Sequence, residues 1–154
     1  MAPFRQAMPP RPESDPQPLP YLRGDHHMWA IELEVRIRST AMREQNLPPH
    51  VLSRSRARDA LYWSPAQLVA HHASNGCNLT TGDLLGTGTL SGPLPGQAGS
   101  LLELTNGGQV PLDLPSGEAR RFLMDGDEVW LCGRAVADGF VPIGFGECRA
   151  QMTS

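Results

Sequence analysis

The chain has no lysine: all 13 of its basic residues are arginine. Any step that needs a lysine ammonium, as a Schiff base or a local point charge, is therefore outside its own repertoire. Cysteine is scarce as well. Cys77, Cys132 and Cys148 form an odd set with no CxxC pair, which argues against a disulfide framework and against a cysteine-rich zinc site. Large aromatics are few, with 4 Phe, 2 Tyr and 3 Trp among 154 residues. The start, MAPFRQAMPPRP, lacks the apolar core of a secretory leader, and no run approaches the length of a membrane span. A cytoplasmic location with no membrane partner is the resulting expectation. A formal net charge of −3 gives no general pull toward nucleic acid.

The length suits one packed domain. Fifteen prolines raise the irregular fraction, and 40% apolar content lies slightly below ordinary globular usage. A β-rich unit is expected, with part of its surface of a kind normally covered by another segment. Charge is unevenly spread. Arg36, Arg38, Arg43, Arg54, Arg56 and Arg58 face only Glu44 among acids in that interval, whereas the span from Glu103 to Glu147 carries eight acids.

Residues 1–20 contain seven prolines and little apolar periodicity; they read as an arm, either strapped to the body or disordered. Met28 to Arg38 then alternates strictly. Trp29, Ile31, Leu33, Val35 and Ile37 take one face, and Glu32, Glu34, Arg36 and Arg38 the other, which predicts a strand. Glu32 and Glu34 imitate a paired-carboxylate metal site, but a solvated strand face needs such charges anyway. Arg54, Arg56 and Arg58 also alternate and read either as surface charge or as an anion contact.

Ser64 begins the one short helix, expected near 65–74. Ser64 is the N-cap, Pro65 sits at N1, Gln67 completes a capping box, and Trp63 is placed to staple onto Leu68. Asn75-Gly76 supplies the stop. His71 and His72 are adjacent on this helix, without a neighbour at metal-ligand spacing.

From His71 to Thr105 the chain holds seven glycines, which suggests either a solvent loop or tight turns that bring backbone close to a ligand. If extended, it places Thr87, Thr89 and Ser91 on one face, and Leu101, Glu103 and Thr105 likewise. Asn106-Gly107-Gly108 reads as a hairpin connection to QVPLDL. Further turns are expected at Ser116-Gly117 and Asp125-Gly126-Asp127, and the last two strands at 128–136 and 140–148.

GCNL at 76–79, GDLLGTGTLSGP at 82–93, GSLLELT at 99–105, DLPSGEARRFLMDGDEV at 113–129 and GFVPIGFGEC at 139–148 occur in a fixed order. With PLPYL at 18–22 and LYWSPAQLVAHHASNGCNL at 61–79, they resemble the C-terminal part of the fumarylacetoacetase family. The resemblance implies a mostly β, rolled, sandwich-like mixed fold. It divides the chain into the arm at 1–20, a partial catalytic domain at 21–148 and a tail at 149–154.

The same resemblance implies hydrolysis of a C–C bond in 4-fumarylacetoacetate, giving fumarate and acetoacetate in tyrosine and phenylalanine breakdown. Glu103, fourteen residues beyond Thr89, resembles the family's catalytic, water-orienting glutamate. Thr89 resembles the threonine that contacts the substrate carboxylate. The family's catalytic histidine, its metal-binding carboxylates and its active-site lysine belong to a segment upstream of the matching part. Calcium and magnesium are therefore expected for a complete family enzyme, with no metal ligand and no bound ion expected of this chain alone. Expected partners are the diketone acid, an upstream fragment or a homodimer mate. The alternative reading is an inactive fragment with a structural or assembly role.

Overall fold

Alternation of apolar and charged residues over 28–38 does produce extended chain, but in two pieces. In the computed structural model, which describes residues 1–154, β1 spans Arg5–Ala7, β2 His27–Trp29 and β3 Ile31–Arg38. The break falls at Ala30, where the backbone changes partners. Its N–H donates to Phe4 O (2.7 Å) and its carbonyl accepts from Val136 N (2.9 Å), so β2 pairs with β1 while β3 joins a different sheet.

The elements that follow are α1 (Thr40–Glu44), β4 (His50–Arg56), α2 (Ala57–Ala60), α3 (Pro65–Ala73) and α4 (Leu101–Leu104). The chain ends with β5 (Leu112–Asp113), β6 (Ala119–Arg120), β7 (Glu128–Ala135) and β8 (Ile143–Gln151). The main sheet has the order β4-β3-β7-β8, accompanied by two two-stranded ribbons, and every pairing is antiparallel. The fold is mostly β, as expected, and three further short α-helices accompany the single helix expected near 65–74.

Both outer strands carry a bulge. On β4, Leu52 is the extra residue between the pairs Val35↔Ser53 and Arg36↔Val51. On β8, Phe145 and Gly146 together face Gly133, between Cys132↔Glu147 and Arg134↔Gly144. Gly146 has φ +80°, the left-handed conformation that glycine adopts without steric cost at such a bulge. Because the bulge adds one residue, Ile143, Phe145, Cys148 and Ala150 all fall on the sheet face that carries Leu131 and Leu33. A Cβ on Gly133 would stand 3.0 Å from Phe145 Cδ2, so the ring occupies the space that glycine leaves.

The apolar face is covered on its β3–β4 side by a core of Ile37, Met42, Leu52 and Leu114, with Val35, Leu47, Leu104 and Leu112 packed around it. Beside this core lies a buried ionic node. Arg120 donates from Nε and Nη2 to the two oxygens of Asp127 (2.9 and 3.0 Å) and from Nη2 to Glu118 Oε1 (2.9 Å). Glu118 also accepts from Ser39 and Ser116, and Ser39 caps α1 by accepting from Met42 N (3.1 Å). Arg120 and Asp127 are 6% and 1% exposed, so satisfaction of both charges decides whether this region holds together.

The helix prediction is accurate at its start. Ser64 Oγ accepts from Gln67 N (3.3 Å) while Ser64 N donates to Gln67 Oε1 (3.0 Å). The two residues also fasten the helix to the preceding segment: Ser64 Oγ donates to Asp25 O and Gln67 Nε2 to Leu22 O, both at 2.6 Å. Trp63 takes a partner that the sequence did not indicate, the Arg11 guanidinium 3.9 Å from its ring centroid. The proline-rich arm is thus strapped down. Phe4 is buried, and Tyr62 hydrogen-bonds to Asp15.

Two expectations about boundaries are corrected. The tail does not begin at 149, because β8 runs to Gln151; Arg149 lies opposite Trp130, with its guanidinium 4.7 Å from the ring, and donates to Glu128 (2.9 Å). Asn106-Gly107-Gly108 does not join two strands. The residues before it form the helical turn α4, and all three have positive φ, closing that turn through Gly107 N to Leu102 O (2.8 Å).

Ser64→Ala should lower stability by about 1 kcal/mol, the usual worth of an N-cap, as measured by chemical denaturation. The Ser39 hydroxyl, Arg120 and Ser116, in that order, hold the Glu118 carboxyl down at about 2 from an ordinary 4.5. Its stabilising contribution is therefore complete above pH ~4.5 and lost as pH falls toward ~2. Glu118→Gln should flatten that part of the stability–pH curve.

Candidate active site

The glycine-rich stretch folds back on itself from Ser91 to Ser100. Gly92 N donates to Gln97 O (2.9 Å) and Gln97 N to Leu94 O (3.1 Å), while Gly96 O accepts from Arg54 N (2.9 Å). The last bond pins the loop to the outer edge of β4. Gly99 brings the two arms of the loop together: an added Cβ there would collide with Leu90 O and stand 2.6 Å from Thr89 Cγ2. Close approach of two backbones is what requires glycine at this position.

Glu103 sits where this loop enters α4. The expectation that 101–105 is extended is corrected: Ser100 caps a helical turn, its Oγ accepting from Glu103 N (3.2 Å). The S-x-x-E spacing of Ser100 and Glu103 is a helix-start signature. Below the turn, the fully buried Thr105 donates from Oγ1 to Leu101 O (2.9 Å) and Arg121 O (3.1 Å). These bonds tie α4 to the segment that carries the ionic node.

The Glu103 side chain is exposed and held by two hydroxyls. Ser91 Oγ lies 2.8 Å from both carboxylate oxygens, and Ser100 Oγ 2.8 Å from Oε2. Ser91 is itself oriented by Gly99 N, which donates to its Oγ (3.0 Å). Hydrogen bonds from Ser91 and then Ser100 hold the Glu103 carboxyl below the usual glutamate range. The group is a fixed, ionised acceptor.

Thr89 is exposed and lies two residues before Ser91 on the same arm. The structure thus brings both sequence-selected residues onto one loop, and adds Ser91 and Ser100 as the groups that orient Glu103. No histidine hydrogen-bonds to Glu103. His26 meets Gln67 (3.2 Å), His27 meets Asp25 (2.6 Å), and His71 meets the Tyr21 hydroxyl (3.2 Å).

Glu32 and Glu34 lie on the polar face of the main sheet, where cross-strand register sets them opposite Arg56 and Arg54. Glu34 is paired with Arg36 and Arg54, and Glu32 with Arg134 (2.7 Å) and Arg56 (3.8 Å). These pairs line a cleft of about 790 Å³ with Leu94 and Gln97 of the loop. With arginines on both glutamates, the donor set does not suit a calcium or magnesium ion, which requires several free oxygen ligands. No group of three or more His, Cys, Asp and Glu side chains is arranged to hold a metal. No helix is long and apolar enough to cross a membrane.

Ser91→Ala should raise the titration midpoint of Glu103 toward the ordinary glutamate value, as followed by carboxyl NMR. An unchanged midpoint would mean that Ser100 alone sets it.

The family profile described as fumarylacetoacetate (FAA) hydrolase C-terminal matches residues 17–153. Fumarylacetoacetase of Homo sapiens is 42% identical over 144 residues, covering 93% of this chain and 33% of the human protein. The Arabidopsis thaliana and Dictyostelium discoideum fumarylacetoacetases are 45% and 44% identical, with 92% of this chain and 32% of each relative covered. The chain thus spans about a third of the length of the curated relatives it matches. Its ordered motifs, its mostly β fold and a match over most of its length lead to one conclusion: the chain belongs to the fumarylacetoacetate hydrolase family and corresponds to the family's C-terminal region.

Proposed function

We propose that this chain forms one wall of a fumarylacetoacetase active site, for hydrolysis of 4-fumarylacetoacetate to fumarate and acetoacetate. The observation that carries this reading is the Glu103 carboxylate, exposed yet fixed by Ser91 and Ser100, on the loop that also bears Thr89. In this reading Glu103 accepts a hydrogen bond from the water-activating group or from the water itself. An ionised, immobile carboxylate serves that purpose because it keeps its orientation and stabilises positive charge developing on a neighbouring base. The Thr89 hydroxyl holds the carboxylate end of the substrate. Its position beside the Gly88 and Gly99 backbone leaves room for close approach.

The balance of the reaction is simple: water adds across a C–C bond, its oxygen to the carbonyl carbon and a proton to the departing carbon. This chain's own groups bind and orient for that addition. In this proposal the base that removes the water proton comes from a second segment, together with the ligands for the calcium or magnesium that the family resemblance implies. Glu32 and Glu34, the carboxylates of this chain that imitate a metal site, are committed to arginines and hold no ion in this proposal.

The test is reconstitution with the upstream portion of a curated relative, followed by an assay for loss of fumarylacetoacetate. Glu103→Gln should lower kcat by about 10²-fold or more, the usual scale for a group engaged in proton transfer. Thr89→Val should raise KM more than it lowers kcat. Unchanged turnover in Glu103→Gln would remove that residue from the machinery, and turnover by this chain alone would overturn the division of labour.

A further inference from the structure

The most conspicuous feature not used by the site is β8. It is the last strand of the main sheet, paired on one side only, with β7, and all nine of its residues are exposed. Edge strands in soluble proteins are ordinarily short, covered, or guarded by proline and inward-pointing charge. β8 carries the bulge at Gly146, but along IGFGECRAQ it is nine residues long, uncovered, free of proline and without a charge on its apolar face. Its charged residues, Glu147 and Arg149, lie on the polar face, where Arg149 packs on Trp130.

The other face is apolar and bare. Ile143 and Phe145 are 42% and 52% exposed, and the adjacent Leu131 on β7 is 52% exposed. The bulge at Gly146 keeps Cys148 and Ala150 on this same face. The core covers the β3–β4 side of that face, so the sheet is dressed at one flank and naked at the other. An unpaired edge next to an uncovered apolar surface is the combination that β-strand addition exploits. Main-chain bonds supply affinity, and alternate side chains supply selectivity.

We infer that β8 and the Leu131–Ile143–Phe145 face are the docking surface for the remaining part of a fumarylacetoacetase catalytic domain, which adds an antiparallel or parallel strand to β8 and lays apolar residues over the bare face. The inference rests on the reading of this chain as one part of such an enzyme. The occupant is argued from length: about two thirds of each matched relative lies outside the region that corresponds to this chain. An apolar occupant fits because the exposed residues on this face are uncharged.

The experiment is amide hydrogen exchange, which reads docking independently of turnover. The chain is mixed with the upstream portion of human fumarylacetoacetase, after that portion has been shown to capture its own C-terminal region. The expected result is a stable complex in which the amides of residues 143–151 exchange at least 10-fold more slowly than in the free chain. Ile143→Asp and Phe145→Asp should each weaken the complex 10-fold or more. A complex in which 143–151 exchanges as fast as in the free chain would overturn the proposal. So would failure to form a complex, or self-association of this chain with β8 protected. Protection of β8 without hydrolysis would keep the docking surface and remove the proposed catalytic role instead.

Discussion

The structure depends on β3 being paired on both sides, with β7 along its whole length and with β4 from Glu32 to Ile37. An eight-residue strand flanked by β4 and β7 has its register fixed twice, so its alternation is imposed on both neighbours. One consequence is chemical segregation. Glu32 and Glu34 meet arginines from β4 and β7 on one face, while Leu33, Val35 and Ile37 define the apolar side. Another consequence is positional. β4 is held rigidly enough that the Arg54 amide can anchor Gly96, and through it the loop that presents Thr89, Ser91 and Glu103.

Charge is handled differently at different depths. On the polar face the arginine–glutamate ladder is largely exposed, where each pair contributes little on its own. At the Arg120 node the guanidinium is enclosed, and each of its nitrogens meets an oxygen of Asp127, Glu118 or the Ala119 carbonyl. The absence of lysine suits both settings, since a planar guanidinium satisfies two carboxylates at once where an ammonium would act as a point charge. Glu103 belongs to neither class. Its partners are hydroxyls, so it keeps a full negative charge while remaining accessible.

Local signals in the sequence were legible where chemistry within a few residues decides the outcome. The Ser64–Gln67 capping box, the Ser116-Gly117 turn and the alternation of β3 are of that kind. The break at Ala30 was not legible, because it is set by partners at Phe4 and Val136, far away in sequence. The same holds for the extension of β8 to Gln151, which depends on Trp130 and Glu128. The helical turn at Glu103 is a different case: its S-x-x-E signature was present, but the run of leucines read equally well as strand. Thr89 and Glu103 were found through resemblance to a family, whereas their common loop, and the roles of Ser91 and Ser100, required three-dimensional proximity.

The bulge at Gly146 makes the count of residues between Pro142 and Cys148 a determinant of surface character. With the extra residue, the oily side chains before and after it share one side of the ribbon. Losing a single position there would transpose the parity of everything on one flank, sending sulfur and methyl groups toward the arginines and charged groups toward the hydrophobic layer. Insertions and deletions in this strand are therefore far more consequential than substitutions, even though every residue in it faces solvent.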